Sequence, residues 1–527
     1  MADKTPFYIT TAISYVNGSP HLGHAYEGIL TDAMARFKRL DGHDVHFLTG
    51  TDEHGEKVLK TAKENNEDVQ DFASKNTEQF REMTKLLGMS NDDFIRTTED
   101  RHIKSSQAIW KKLQEKGDIY LDTYAGWYSI REEGYFTEDE LVESDDGLKL
   151  APNGTEVEWV EEGSYFFKLS EYGDKLLKYY EDHPEFIQPE SRRNEIISFV
   201  KGGLRDLSVS RPVTRLPWGV PVPDNDLTDE PHVMYVWLDA LTNYITAVGY
   251  PDIDSDLFKK FWSDNDEVYH VIGKDITRFH CVYWPAFLIS AGIPLPKTVF
   301  AHGFINVQGT KMSKSLGNVL SPTGLVETYG LDQIRYFLLR EIPHGGDGNF
   351  SHETAIQRMN ADLANGVGNL AQRTLSMIYK NCDEAIPEPG EFLDDDKELL
   401  QKAQKAMVVA FSKSGHEFAL HRALEAIMSV ASDADTYVDA QAPWVLKKEN
   451  PERMKTVLYV LAETVRCIAI ALQFATPDGS AKILNQLKIP EDQRLFAHIS
   501  PDYALKAGTA IDKPEGVFPR LHLEEAA

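Results

Sequence analysis

Cysteine is nearly missing from this chain: Cys281, Cys382 and Cys467 are the only three among 527 residues. Their wide spacing excludes a disulfide framework and a CxxC metal clamp, and each lies in an apolar or mixed segment that suits a packed thiol. Long apolar runs are also missing. The best candidate, CVYWPAFLISAGIPL, is too short to span a bilayer and is interrupted by Pro285 and Ser290. The first ten residues, MADKTPFYIT, have neither the zones of a secretion signal nor an Arg-rich presequence, so a cytoplasmic location and no membrane partner are expected. Positive charge is in deficit as well. A formal net charge of −28 repels phosphate at long range and excludes a surface that grips nucleic acid all over, so any such contact has to be local. Two stretches offer local positive charge: Arg358, Arg373 and Lys380 in one, Lys447, Lys448, Arg453 and Lys455 in the other.

What is present is enough apolar residue, 42%, for two to four domains with real cores. The chain is organised around FYITTAISYVNGSPHLGH, residues 7–24, where an apolar, β-branched run ends in a turn and a helix begins. Ser19 is the expected cap and Pro20 the expected first helical residue, which places His21 and His24 on one face. Tyr26, Ile29, Leu30, Ala33 and Phe37 continue an apolar stripe that packs the helix on a sheet. A helix start beside a strand end presents amides and a positive dipole end to an anion, most simply a phosphate. Gly23 allows a flat base or sugar to approach the backbone.

A second signal lies in NVQGTKMSKSLGN, where Lys311 and Lys314 supply two ammonium groups on a loop and Gly309 and Gly317 flank it as hinges. Such a loop can close on a triphosphate and stabilise charge on departing pyrophosphate. HLGH and KMSKS together closely resemble the paired nucleotide-binding signatures of class I aminoacyl-tRNA synthetases, and the chain throughout resembles the methionyl-tRNA synthetases of that class.

The rest of the chain divides accordingly. The expected fold is α/β: a Rossmann-like parallel-sheet catalytic domain in two halves, residues 1–116 and 231–320, split by a connective insertion at 117–230. A stem-contact linking module at 321–352 follows, and then an α-helical anticodon-binding bundle at 353–527, where apolar residues recur at three and four spacing. The family's insertion often carries a zinc knuckle built from cysteine pairs. Here those places read Ser129-Ile130-Arg131-Glu132 and Ala151-Pro152-Asn153-Gly154, so no structural zinc is expected and packing is expected to hold the knuckle.

Several polar residues sit where strands end, the usual ligand edge of such sheets. Asp52 is the candidate partner of a substrate ammonium, and Gly273 with Asp275 suits a ribose. Arg211 is a weaker candidate for the phosphates or for Asp52. The resemblance adds the remainder. It implies catalysis by His21, His24, Lys311 and Lys314, with Gly23, Gly273, Asp275, His302, Ile305 and Lys314 binding ATP. It implies a methionine pocket of Ala12, Ile13, Tyr15, Asp52, Trp237, Ala240, Tyr244, Ile276, Phe279 and His280, in which Tyr15 or His280 offers a donor to the thioether. Asn369, Arg373 and Trp444 match the residues that meet the anticodon, an indole being a stacking surface for a splayed base.

The implied reaction is activation of L-methionine by ATP, with Mg2+, and transfer to the 3′ end of initiator and elongator tRNA(Met). The chain stops at Ala527 without an appended dimerisation domain, so a monomer is expected. Two rivals stay open: a sister synthetase for a branched aliphatic amino acid or cysteine, and a non-enzymatic tRNA-binding scaffold.

Overall fold

The computed structural model describes residues 4–130, 134–136, 138–144, 147–223, 227–228, 230–312, 318–414 and 419–522. Its centre is a seven-stranded parallel sheet. The order runs Ile187–Gln188, Thr298–His302, Val268–Gly273, Pro6–Thr11, Asp44–Asp52 and Ser14–Tyr15, with Asp93–Arg96 also paired to Asp44–Asp52. Pro6–Thr11 is buried at every residue but its first, as strands covered on both faces require. It pairs with Asp44–Asp52 on one side and with Val268–Gly273 on the other, Tyr8 opposite Val268 and Thr11 opposite Val271. Distant parts of the chain therefore meet at the middle of one sheet, and the strand order reverses there. That reversal opens a crevice at the carboxyl ends of the strands.

Part of the expected 117–230 insertion forms a separate antiparallel layer, in which Ile119–Ser129 pairs along its length with Glu158–Phe167, flanked by Gly134–Phe136 and Leu207–Ser208, whereas Ile187–Gln188 of the same segment returns to the parallel sheet as its edge strand. At the knuckle positions Ser129 Oγ lies 3.0 Å from Thr155 Oγ1, Asn153 Oδ1 accepts from the Thr155 amide, and Ala151 is fully buried. Arg131 and Glu132 lie outside the described residues.

Helices dominate from Pro322 onward. Pro451–Leu472 is the axis of the C-terminal bundle; it is buried almost all round and packs on Asp394–Ser414 and Leu420–Gln441. The sheet and the helical part are joined through Arg335 on the helix Leu331–Glu341. Its guanidinium pairs with Asp32 of the helix Leu22–Leu40 at 2.7 Å, donates to the Leu87 carbonyl, and donates to the Phe474 and Ala475 carbonyls of the bundle. Asp32 also holds Arg36 and the amide and hydroxyl of Ser90, so the buried charge is fully engaged.

Candidate active site

The histidine helix spans Leu22–Leu40, and its cap is His21 rather than Ser19. The cap is a reciprocal box: His21 Nδ1 accepts from the Gly23 amide at 3.1 Å, and His24 Nδ1 accepts from the His21 amide at 3.2 Å. The two rings stack with centroids 3.9 Å apart. Because each Nδ1 is an acceptor, each neutral imidazole carries its proton on Nε2 and presents a donor. Burial, helped by His21, lowers the pKa of His24 to about 3, so that ring is neutral at physiological pH.

Two sequence expectations change here. The helix-start amides are already engaged, Leu22 with the Leu320 carbonyl at 2.9 Å and Gly23 with His21, so they are not free to bind an anion. Gly23 is required by the cap itself: a Cβ there would lie 2.9 Å from His21 Cε1.

The Leu22–Leu320 bond ties the histidine helix to the exit of the lysine loop. Lys311 and Met312 at the loop's entrance line the same cleft of about 1720 Å³ as His21, Gly23 and His24. Lys311 Nζ lies 5.1 Å from the Phe304 ring centre. Lys314 and Gly317 lie outside the described residues. Gly309 forms a tight turn rather than a hinge: with Gln308 it makes a two-residue connection in which both φ angles are positive, and its amide donates to Asn349 Oδ1.

All the other candidates for the small-molecule site except Arg211 line this cleft. Ala12, Ile13, Tyr15 and Asp52 come from the strand ends; Trp237, Ala240 and Tyr244 from two short helices; Gly273 from the end of Val268–Gly273, and Asp275, Ile276, Phe279 and His280 from the turn and helix after it; His302 from the end of Thr298–His302 and Ile305 from just beyond it. Pairing of Ser14–Tyr15 with Thr51 and Asp52 sets Tyr15 opposite Asp52 in the register, and Asp52 is itself buried. Trp237 and Phe279 stack face to face at 3.7 Å. Gly273 leaves room for Asp275, since a Cβ would meet Asp275 Oδ1 at 2.6 Å.

His280 is not the thioether donor that the sequence suggests. Its Nδ1–H donates to the Ile276 carbonyl at 3.0 Å and its Nε2 accepts the Tyr244 hydroxyl at 2.6 Å. Burial lowers its pKa to about 4, so it stays neutral and both nitrogens are occupied. Arg211 is enclosed between the rings of Tyr128 and Tyr235, with Nη1 on Ser208 Oγ and the Ser210 carbonyl.

The sequence reading missed three groups. Glu27, one turn beyond His24, accepts from His302 Nε2 at 2.9 Å. Burial raises the Glu27 pKa, and the carboxylate raises that of His302 against the opposing effect of burial. Lys57 Nζ stands 5.2 Å from the Tyr15 ring centre at the cleft wall. His54, Asp239 and His102 form a buried cluster behind the wall. Helical spacing from His24 could have pointed to Glu27; nothing in the sequence joins residues 54, 102 and 239. Among the described residues, no group of three or more His, Cys, Asp or Glu side chains is placed to hold a metal ion.

On the bundle, Asn369 and Arg373 are exposed one helical turn apart on Asn369–Asn381. Trp444, 46% exposed, lies with its ring centre 5.7 Å from the Arg373 guanidinium carbon. The two basic faces are thinner than their sequence implies. Arg358 is paired with Glu341, Arg453 with Asp396 and Lys455 with Glu452, while Lys380, Lys447 and Lys448 remain on the exterior.

Residues 7–146 and 149–375 match the family model described as tRNA synthetases class I (M), so the molecule is a class I aminoacyl-tRNA synthetase. Residues 386–527 match the anticodon binding domain of methionyl tRNA ligase. A methionine–tRNA ligase of Rhizobium meliloti is 57% identical with all of both chains covered, and one of Mycobacterium tuberculosis is 52% identical over 98% of each. The structure of Mycobacterium tuberculosis methionyl-tRNA synthetase in complex with methionyl-adenylate superposes with a TM-score of 0.93 at 51% identity, covering 98% of this chain and 100% of that one. Its apo form gives 0.87 at 48% identity, with 99% of each chain covered. The chain belongs to the methionyl-tRNA synthetase family, the methionine–tRNA ligases.

Proposed function

We propose the following division of labour in the methionine–tRNA ligase reaction. Asp52 pairs with the substrate ammonium. The thioether enters the apolar pocket formed by Ala12, Ile13, Tyr15, Trp237, Ala240, Tyr244, Ile276, Phe279 and His280, where shape and sulfur–aromatic contact select it. Gly273 and Asp275 take the ribose, and His302 and Ile305 border the nucleotide. The α-carboxylate oxygen attacks the α-phosphorus, the bond to the β-phosphate bridging oxygen breaks, and pyrophosphate leaves with the electron pair.

No side-chain nucleophile takes part. His21 and His24 donate Nε2–H bonds to phosphate oxygens as charge shifts, the helix dipole adds to them, and Lys311 and Lys314 neutralise the leaving group. ATP enters as its magnesium complex, so the metal comes with the substrate and needs few protein ligands. The adenylate then waits for a ribose hydroxyl of the terminal adenosine, which attacks the carbonyl carbon and releases AMP. Asn369, Arg373 and Trp444 receive the anticodon of initiator and elongator tRNA(Met). The enzyme works as a monomer in the cytoplasm, without structural zinc.

The observation that supports this reading above all is the bond from the Leu22 amide to the Leu320 carbonyl, which joins the start of the histidine helix to the end of the lysine loop on one cleft. Pyrophosphate exchange with each amino acid offered singly tests it. Exchange with methionine alone is the expected result; exchange with a branched aliphatic amino acid or cysteine, or none at all, would refute it.

A further inference from the structure

Behind the methionine pocket a single carboxylate is clamped by two imidazoles. Asp239 Oδ2 accepts from His54 Nδ1 at 2.7 Å and Oδ1 accepts from His102 Nε2 at 2.6 Å. Asp239 and His102 are fully buried and His54 nearly so. Each side chain comes from a different element. His54 lies just past Asp44–Asp52, His102 lies on the helix Asp100–Glu115, and Asp239 lies on the helix Val236–Leu241.

That last helix is six residues long and has no side-chain cap. Too short to set its own position, it takes it from tertiary contacts. Trp237 and Asp239, two residues apart, point from roughly opposite faces, so one face meets Phe279 in the pocket and the other is fixed by the clamp. The strand end is held in the same way. Past Asp52, the Glu53 carboxylate takes both Arg96 bonds, at 2.6 and 2.9 Å, and bonds from Thr77 and Thr98. The Glu53 carbonyl accepts from Trp218, whose ring packs edge-on against His54. The sequence Asp-Glu-His thus sends its first carboxylate to the cleft, its second to a fixed network and its imidazole to Asp239.

We infer that Asp239 is a positioning residue for amino-acid recognition: through His54 it fixes the distance between the Asp52 carboxylate and the Trp237 wall, so that the ammonium and thioether of one ligand are met together. This rests on the assignment of Asp52 to the ammonium. The nucleotide side of the cleft is built on the histidine helix and the turn at Gly273, to which, among the described residues, none of the three clamp side chains hydrogen-bonds.

The test is calorimetric binding of L-methionine, of its des-amino analogue and of ATP to the full chain, in the unmodified enzyme and in Asp239→Asn, His54→Ala and His54→Asn. Asp239→Asn sets an amide N–H against an imidazole N–H; His54→Ala removes one donor, and His54→Asn returns an N–H at the Nδ1 position. The preference for methionine over the des-amino analogue should fall about ten- to a hundredfold in Asp239→Asn and His54→Ala, the worth of a hydrogen bond to a charged group. It should return in His54→Asn, with ATP affinity unchanged throughout. A preference retained in both damaged variants would overturn the inference, as would parallel loss of methionine and ATP affinity, the mark of general disorder. If Asp239→Asn does not fold, the His54 pair alone decides. Equal binding of the two amino-acid ligands by the unmodified enzyme would instead remove the Asp52 assignment, and the inference with it.

Discussion

The amide of Leu22 donates to the carbonyl of Leu320 at 2.9 Å, so the first residue of the histidine helix holds the end of the lysine loop. Leu22→Pro removes that N–H at a position where proline suits a helix, and His21 before it is already extended at φ −136° and ψ 177°. Leu22→Ala loses the same buried side chain but keeps the N–H. Adenylate formation by the proline variant should be slower than by the alanine variant by about twofold to tenfold, the worth of one hydrogen bond, as read by rapid-quench single turnover. Equal rates would show that the tether has no part in closing the loop.

Arg335 and Asp32 form the joint between the catalytic and helical parts, and neither side chain is exposed. Asp32→Asn strands the guanidinium and should cost about 3–5 kcal/mol in urea denaturation. Replacing both by apolar residues of similar volume should cost less than the single change, because no buried charge is left unpaired.

Acid should destabilise the protein before its carboxylates titrate. His24, lowered to about 3, and His280, lowered to about 4, bind no proton when folded between pH 5 and 6.5, whereas unfolded imidazoles do. Stability therefore rises with pH across that window, by up to about 1.4 kcal/mol per pH unit for each group. His302 acts with the opposite sign: its raised pKa gives stability that is complete below the unfolded value of 6.5 and is lost as pH rises through the folded value. In His280→Gln the slope of denaturation free energy against pH between 5 and 6.5 should drop by one group's share.

Trp444 stands on the bundle with nearly half of its surface exposed. Trp444→Ala should leave methionine-dependent pyrophosphate exchange intact and impair tRNA charging, with a loss of about 1–3 kcal/mol if a base stacks there. Loss of exchange would remove the proposed division of labour.

The sequence made the sheet legible because apolar β-branched runs alternate with helical stripes, and it made the cleft legible because HLGH, the Gly-Lys-Asp turn at Gly273 and the Lys311 loop each follow a strand. Hydrogen-bond ownership was hidden. Ser19 and Pro20 carry the usual signs of a helix start, yet His21 caps, because its ring folds back over Gly23 and that choice depends on His24. His280 reads as a free donor in the sequence, yet Ile276 and Tyr244 occupy both its nitrogens. Arg453 reads as part of a basic face, yet Asp396, far along the chain, takes both its Nη nitrogens. Motifs report which side chains are near a strand end; only the fold says which already have partners.

The most direct measurement is single-turnover adenylate formation by His24→Ala, made alongside methionine binding. The rate should fall by about two to three orders of magnitude, the loss typical of one donor aimed at developing charge, while methionine affinity stays as it is. Comparable losses in both would contradict a role for the histidine pair at the transferring phosphate.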